Sequence, residues 1–246
     1  MHFYPRNVKL KIVMSIAQNI AQVEEKIQKA CDRAGRKRET ISLMAVSKFH
    51  KIDAAEEARR AGIRFFGESR VKEGGEKFET YKKEHPEIEV HMIGPLQRNK
   101  AKAAAIFFDC IQSVDREALI DELDKQAANM EKPLRLLLEL HTAEDTKSGF
   151  VSLDELFMAA ERALKSGRLF PCGLMTMAPF TKEEKPIRTS FRLLVKAQAE
   201  LEKRFPPAEN WGCLSMGMTN DFEIAVEEGS NLLRIGSAIF GLRENL

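Results

Sequence analysis

The chain has 246 residues, with 39 basic against 37 acidic side chains, a formal net charge of +2, 43% hydrophobic and 31% charged residues. That balance suits a soluble protein with a full core, in one domain or two, and it excludes a basic nucleic-acid face spread over the whole chain. No apolar run approaches the roughly 18 residues of a membrane span.

The N-terminal MHFYPRNVKLKIVMS lacks the apolar stretch of a secretory signal, and Met14 offers an alternative start. Residues 1–14 therefore read as an extension, and 15–246 as the folded unit. Residues 15–34 have helical spacing: Ser15 and Gln18 stand as a capping box, Ile16, Ile20, Val23, Ile27 and Ala30 share a face, and Gly35 follows. Short apolar runs then alternate with helical patterns. The runs are 41–47, 63–67, 88–94, 107–113, 134–141, 170–177, 211–216 and 231–236. Between them, helices are expected at 53–61, 115–130, 152–166 and along the charged stretch 181–204. Strands alternating with helices imply right-handed crossovers and a parallel sheet. Eight such units in this length predict a single (β/α)8 barrel of the TIM type with an extra N-terminal helix; an open doubly wound sheet is the alternative.

Four cysteines, Cys31, Cys110, Cys172 and Cys213, are widely spaced, with no CxxC pair and no flanking histidine pattern. Neither a metal site nor a disulfide framework is expected; all four read as small buried apolar residues in a reducing cytoplasm.

In a parallel barrel, chemistry collects where strands end. Those ends carry Ser47-Lys48, Gly67-Glu68, Gln112-Ser113, Glu139 and His141, Thr176, Ser215 and Gly217, and Arg234 followed by Gly236-Ser237. Lys48 follows an apolar run. Desolvation there disfavours the ammonium form and makes a nucleophile that can capture an aldehyde; a lysine at a strand end can equally snorkel to water. After the last two strands, GMTND (217–221) and GSAIFG (236–241) each enter a helix, with Thr219 as an N-cap. Two such helix starts suit an anion, although the same glycines and hydroxyls serve as ordinary turns and caps. Arg234, inside an apolar run, needs an acceptor: a pyridine nitrogen, or a barrel carboxylate such as Glu139. Together these residues suggest a phosphorylated aldehyde as ligand.

The segments AVSKFH (45–50), FFGESRVKE (65–73), HMIGPLQRNK (91–100), IQSVD (111–115), KSG (147–149), GLMTMAP (173–179), LSMGMTND (214–221) and RIGSAIFG (234–241) occur in order. With them the chain resembles the pyridoxal 5′-phosphate (PLP) homeostasis protein family, the YggS/PROSC proteins. The resemblance implies a barrel like the N-terminal domain of alanine racemase, with PLP held on Lys48 as an internal aldimine. It implies Arg234 as partner of the ring nitrogen, Gly236 and Ser237 at the phosphate, and Ser215, Gly217 and Thr219 on the strand-seven side of that cradle. Departures are Ser69-Arg70, where the family often has Asn-Tyr, and Leu140-His141, where it usually has Val-Asn.

The expected function is PLP binding and delivery rather than catalysis, with apo PLP-dependent enzymes as recipients and no nucleic-acid or membrane partner. The protein is read as a monomer. Racemases of this resemblance carry a second, β-rich domain, whereas about ten residues follow the last strand here. A PLP-dependent racemase acting on small amino acids is the alternative; it needs acid–base groups on both faces of the cofactor, and only Lys48 offers itself. A sugar-phosphate enzyme using Lys48 for imine chemistry is a third class.

Overall fold

The structure is a computed structural model that describes residues 14–128, 130–143, 148–206 and 211–241. The expected extension thus falls almost wholly outside the described residues, as does Lys147. Ser15 caps α1 (Ile16–Ala34): its hydroxyl accepts from the Gln18 N–H while the Gln18 side chain accepts from the Ser15 N–H. Ile20, Val23, Ile27 and Ala30 bury the apolar stripe, and Gly35 ends the helix at φ 63°.

Eight strand–helix units follow. They are β1 (Ser42–Val46) with α2 (Ile52–Arg60), β2 (Phe65–Glu68) with α3 (Val71–Glu84), β3 (Glu89–Met92) with α4 (Ala101–Phe107), and β4 (Cys110–Val114) with α5 (Glu117–Ala127). The second half comprises β5 (Leu134–Glu139) with α6 (Leu153–Lys165), β6 (Leu169–Met175) with α7 (Glu184–Arg204), β7 (Cys213–Ser215) with α8 (Phe222–Glu227), and β8 (Leu232–Ile235) with α9 (Ser237–Phe240). The strands pair in sequence order, all parallel, and β8 closes on β1 with Met44 beside Arg234. The open-sheet alternative is excluded by that closure.

Alternation along each strand sends one set of side chains outward, where Leu43, Ala45, Val90, Ile111, Leu136 and Leu233 join the main apolar core. The lumen differs from the branched-aliphatic filling common in such barrels. Cys110, Leu137 and Met175 cluster there with Cys172, Met177 and Cys213, and the polar side chains of His91, Gln112, Ser215 and Arg234 are buried.

A β-bulge shapes this lumen. Leu136 pairs with Pro171 but Leu137 pairs with Gly173, so Cys172 is the extra residue of β6. Gly173 sits at φ 156°, and a Cβ there would lie 2.0 Å from the Cys213 carbonyl oxygen. Only glycine lets β6 and β7 approach so closely.

Three expectations need correction. Strand seven is three residues long, because Trp211 is buried beside Phe205 instead of pairing in the sheet. Phe107 ends α4 rather than opening the fourth strand. Cys172 and Cys213 are only half-buried, since both face the open N-terminal end of the lumen; Cys31 and Cys110 are buried as expected.

Candidate functional site

Lys48 lies in the turn after β1 and is half-buried. The turn is strained and braced. Phe49 adopts φ 69°, unusual for a residue with a bulky side chain, and its N–H donates to Glu73. Arg70, one of the departures from the family pattern, places its guanidinium 5.0 Å from the centre of the Phe49 ring.

Beneath the turn, Ser47 donates to the buried Glu68 at 2.7 Å. Lys77 donates to the same Glu68 oxygen at 2.8 Å and to the Ser47 carbonyl at 2.8 Å. Burial raises the Glu68 carboxyl above the ordinary range, against the pull of Lys77 and Ser47. Lys77 escaped the sequence reading because its spacing to Glu73 resembles an ordinary surface pair, yet its side chain is only 8% exposed.

Adjacent to β1, β8 carries Arg234, which is 4% exposed. Its guanidinium donates to the Ser215 carbonyl at 2.7 Å, the Ser215 hydroxyl at 2.6 Å and the Thr176 carbonyl at 2.8 Å. Among the described residues it forms no ion pair. Glu139, the alternative partner, instead accepts from the Ser148 hydroxyl at 2.6 Å. These bonds use three of the five guanidinium N–H groups and fix the plane of the group. The remaining donors suit a ring nitrogen acceptor, so the donor set fits the pyridine of PLP.

Arg234 also begins a chain of hydrogen bonds through the lumen. Arginine can only donate, so the Ser215 hydroxyl passes its own proton to Gln112 Oε1 at 2.6 Å. Gln112 Nε2 then donates to His91 Nδ1 at 2.8 Å, and His91 Nε2 donates to Glu89 at 3.0 Å. The His91 hydrogen bond, the largest influence, holds the Glu89 carboxyl down at about 2, with Arg135 pulling the same way and burial opposing.

At the candidate anion cradle, one expected cap is not made. Thr219 does not cap α8; Asp221 occupies that position. The Thr219 hydroxyl instead reaches across to α9, where it accepts from the Ala238 N–H at 3.3 Å and the Ser237 hydroxyl at 3.2 Å. Thr219, Ser237 and Gly236 thereby converge on one rim. Gly217 stands behind them at φ 96°, where a Cβ would lie 2.5 Å from that of Ala225. Ser215 stands apart from this rim, in the lumen, as a support for Arg234. Val46 abuts Gly236, which places the Lys48 turn next to the cradle. His141 lies just beyond β5, with Nδ1 3.3 Å from the Ser148 carbonyl.

Burial raises the Glu139 carboxyl, with Ser148 and Arg234 opposing. A carboxyl raised by folding favours stability fully below its unfolded pKa of about 4.3, and that contribution is lost as pH rises through the folded value. Glu139→Gln should therefore flatten the fall in melting temperature between mildly acidic and neutral pH. An unchanged slope in thermal denaturation across that window would show that Glu139 is not desolvated.

Residues 18–244 match the family described as alanine racemase, N-terminal domain. The pyridoxal phosphate homeostasis protein of Vibrio cholerae is 35% identical over 94% of this chain and 97% of its own. That of Escherichia coli is 37% identical over 93% and 97%. The structure of PipY from Synechococcus elongatus with PLP bound superposes with a TM-score of 0.81 at 31% identity, covering 92% of this chain and all of its own. Alanine racemase from E. faecalis shares the fold alone, with a TM-score of 0.69 at 16% identity and 59% of its chain covered. With the barrel, its ordered motifs and these relatives in agreement, the chain belongs to the pyridoxal phosphate homeostasis proteins, within the alanine racemase N-terminal domain family.

Proposed function

We propose that this protein binds PLP at the C-terminal mouth of the barrel, holds it covalently through Lys48, and delivers it to apo PLP-dependent enzymes without sustained catalysis of its own. The observation that carries this reading is Arg234, braced by Ser215 and Thr176 with donors to spare, on the strand next to Lys48. When bound, the cofactor supplies an aldehyde that bonds to an amine and a phosphate that carries negative charge. Lys48 is the amine, next in the chain to Ser47, which Glu68 and Lys77 anchor. Thr219, Ser237 and Gly236 offer a hydroxyl-rich rim for the phosphate, backed by Gly217. Arg234 keeps the ring nitrogen unprotonated, since its guanidinium does not give up its charge. An unprotonated ring is a poor electron sink, in keeping with a carrier.

The homeostasis proteins named above align along nearly their whole length with this chain. We read the protein as a cytoplasmic monomer. Its four free cysteines accord with a reducing compartment, and among the described residues no helix is long and apolar enough to cross a membrane.

The test is transfer. PLP-loaded protein is mixed with an apo-enzyme, with and without a scavenger for free PLP. Recovery of enzyme activity faster than release into the scavenger supports delivery. Recovery no faster than release removes the delivery role, and sustained interconversion of alanine enantiomers, lost in Lys48→Ala, would favour a racemase.

A further inference from the structure

The opposite, N-terminal mouth of the barrel holds a second pocket, of about 450 Å³, that shares no residue with the cofactor site. Its lining includes Cys110, Cys172, Cys213, Arg135, His91 and Phe170. That volume lies within the range of small-molecule sites. The bulge in β6 puts Cys172 there, and Cys172 is half-buried at the pocket wall. Its thiol can donate weakly to the Leu136 carbonyl at 3.5 Å. Loss of the proton exchanges that weak bond for stronger support. Arg135, anchored to Glu89 and the Asp109 carbonyl, lines the same pocket and adds positive charge.

Exposure separates Cys172 from Cys110, which is buried behind the pocket wall. The neighbouring Cys110 thiol, with Arg135, brings the Cys172 thiol below its ordinary value. The same pairing, with burial, pushes Cys110 up, and burial pushes Cys213 up to about 12. Among the described residues these side chains do not form a set that could hold a metal ion.

We propose that this N-terminal mouth is a thiol-exchange site, in which Cys172 reacts with low-molecular-weight disulfides. The Cys172 sulfur, its proton released to solvent, forms a bond to one sulfur of the disulfide. The disulfide's own S–S bond breaks, and the leaving sulfur takes the electron pair and a proton from solvent. The products are a mixed disulfide on Cys172 and one free small thiol.

The test is independent of PLP. The folded protein is incubated with oxidised glutathione at neutral pH, quenched with acid and mapped by peptide mass. The expected result is an adduct at Cys172, forming at least about tenfold faster than at Cys110 or Cys213, with Cys31 unmodified. Arg135→Gln should slow it about threefold or more and Arg135→Lys should retain it, with circular dichroism reporting the fold of each. A first adduct at another cysteine, or one at Cys172 that forms only in urea, overturns the proposal. So does an Arg135→Gln protein that is folded and reacts at the parent rate. The site preference in the parent protein decides the matter even if that variant does not fold.

Discussion

Lys48→Ala protein incubated with PLP and treated with borohydride should yield no PLP-modified peptide and should lose the visible absorption of the covalent complex. Noncovalent affinity should remain, weakened by at least about tenfold, or about 1.4 kcal/mol. The remainder follows from geometry: Thr219 and Ser237 on the rim, and Arg234 on its supports, do not depend on the Lys48 side chain. Lys77 does not substitute for it, because its amine is already committed to Glu68 and the Ser47 carbonyl. Mapping of the reduced parent protein should find the modification at Lys48. A modified lysine elsewhere, or unchanged affinity in Lys48→Ala, would remove the covalent role assigned to this residue.

Gly173→Ala should be the most damaging single-methyl change among the barrel strands. The added carbon would meet the Cys213 carbonyl oxygen at 2.0 Å, and the obstacle is backbone, which has no rotamer to yield. Either β6 parts from β7 or the bulge is lost and the strand's side chains change face. We expect a cost of roughly 3–5 kcal/mol, equivalent to a fall of about 10–15 °C in melting temperature. Gly75→Ala, on α3 with nothing within 4 Å of the added carbon, is the control and should be neutral or slightly stabilising. A Gly173→Ala protein that melts with the parent would show that the two strands are farther apart than described.

The barrel was legible in the sequence because its period is carried by apolar runs, and burial on the outer face of each strand keeps those runs apolar. Lys48, Arg234, Gly236 and Ser237 stand out in the sequence as candidates for a related reason: each interrupts or ends such a run. Side-chain reach was not. Thr219 reads in the sequence as a cap for α8, yet Asp221 holds that position and the Thr219 hydroxyl crosses to α9, a contact made by the packing of two loops rather than by local spacing. Ser215 and Thr219 are four residues apart in a single motif, but one faces the lumen and the other the rim. Lys77 was hidden because the pattern of a helix face does not report how deeply that face is sunk. The bulge at Cys172 was also hidden. One extra residue in one strand leaves composition and periodicity unchanged while turning a thiol toward a pocket.

The hydrogen-bond chain from Arg234 to Glu89 ties the two ends of the barrel to one sense of direction. Arginine at one terminus only gives protons and the carboxylate at the other only takes them, so every intermediate group has a single permitted orientation. No member can turn over alone. With the Gln112 amide reversed, its NH2 would point at Ser215, whose oxygen would receive hydrogens from both sides. The footing of the guanidinium at the top of the barrel is in this way set from beneath it, with no strand or helix having to move.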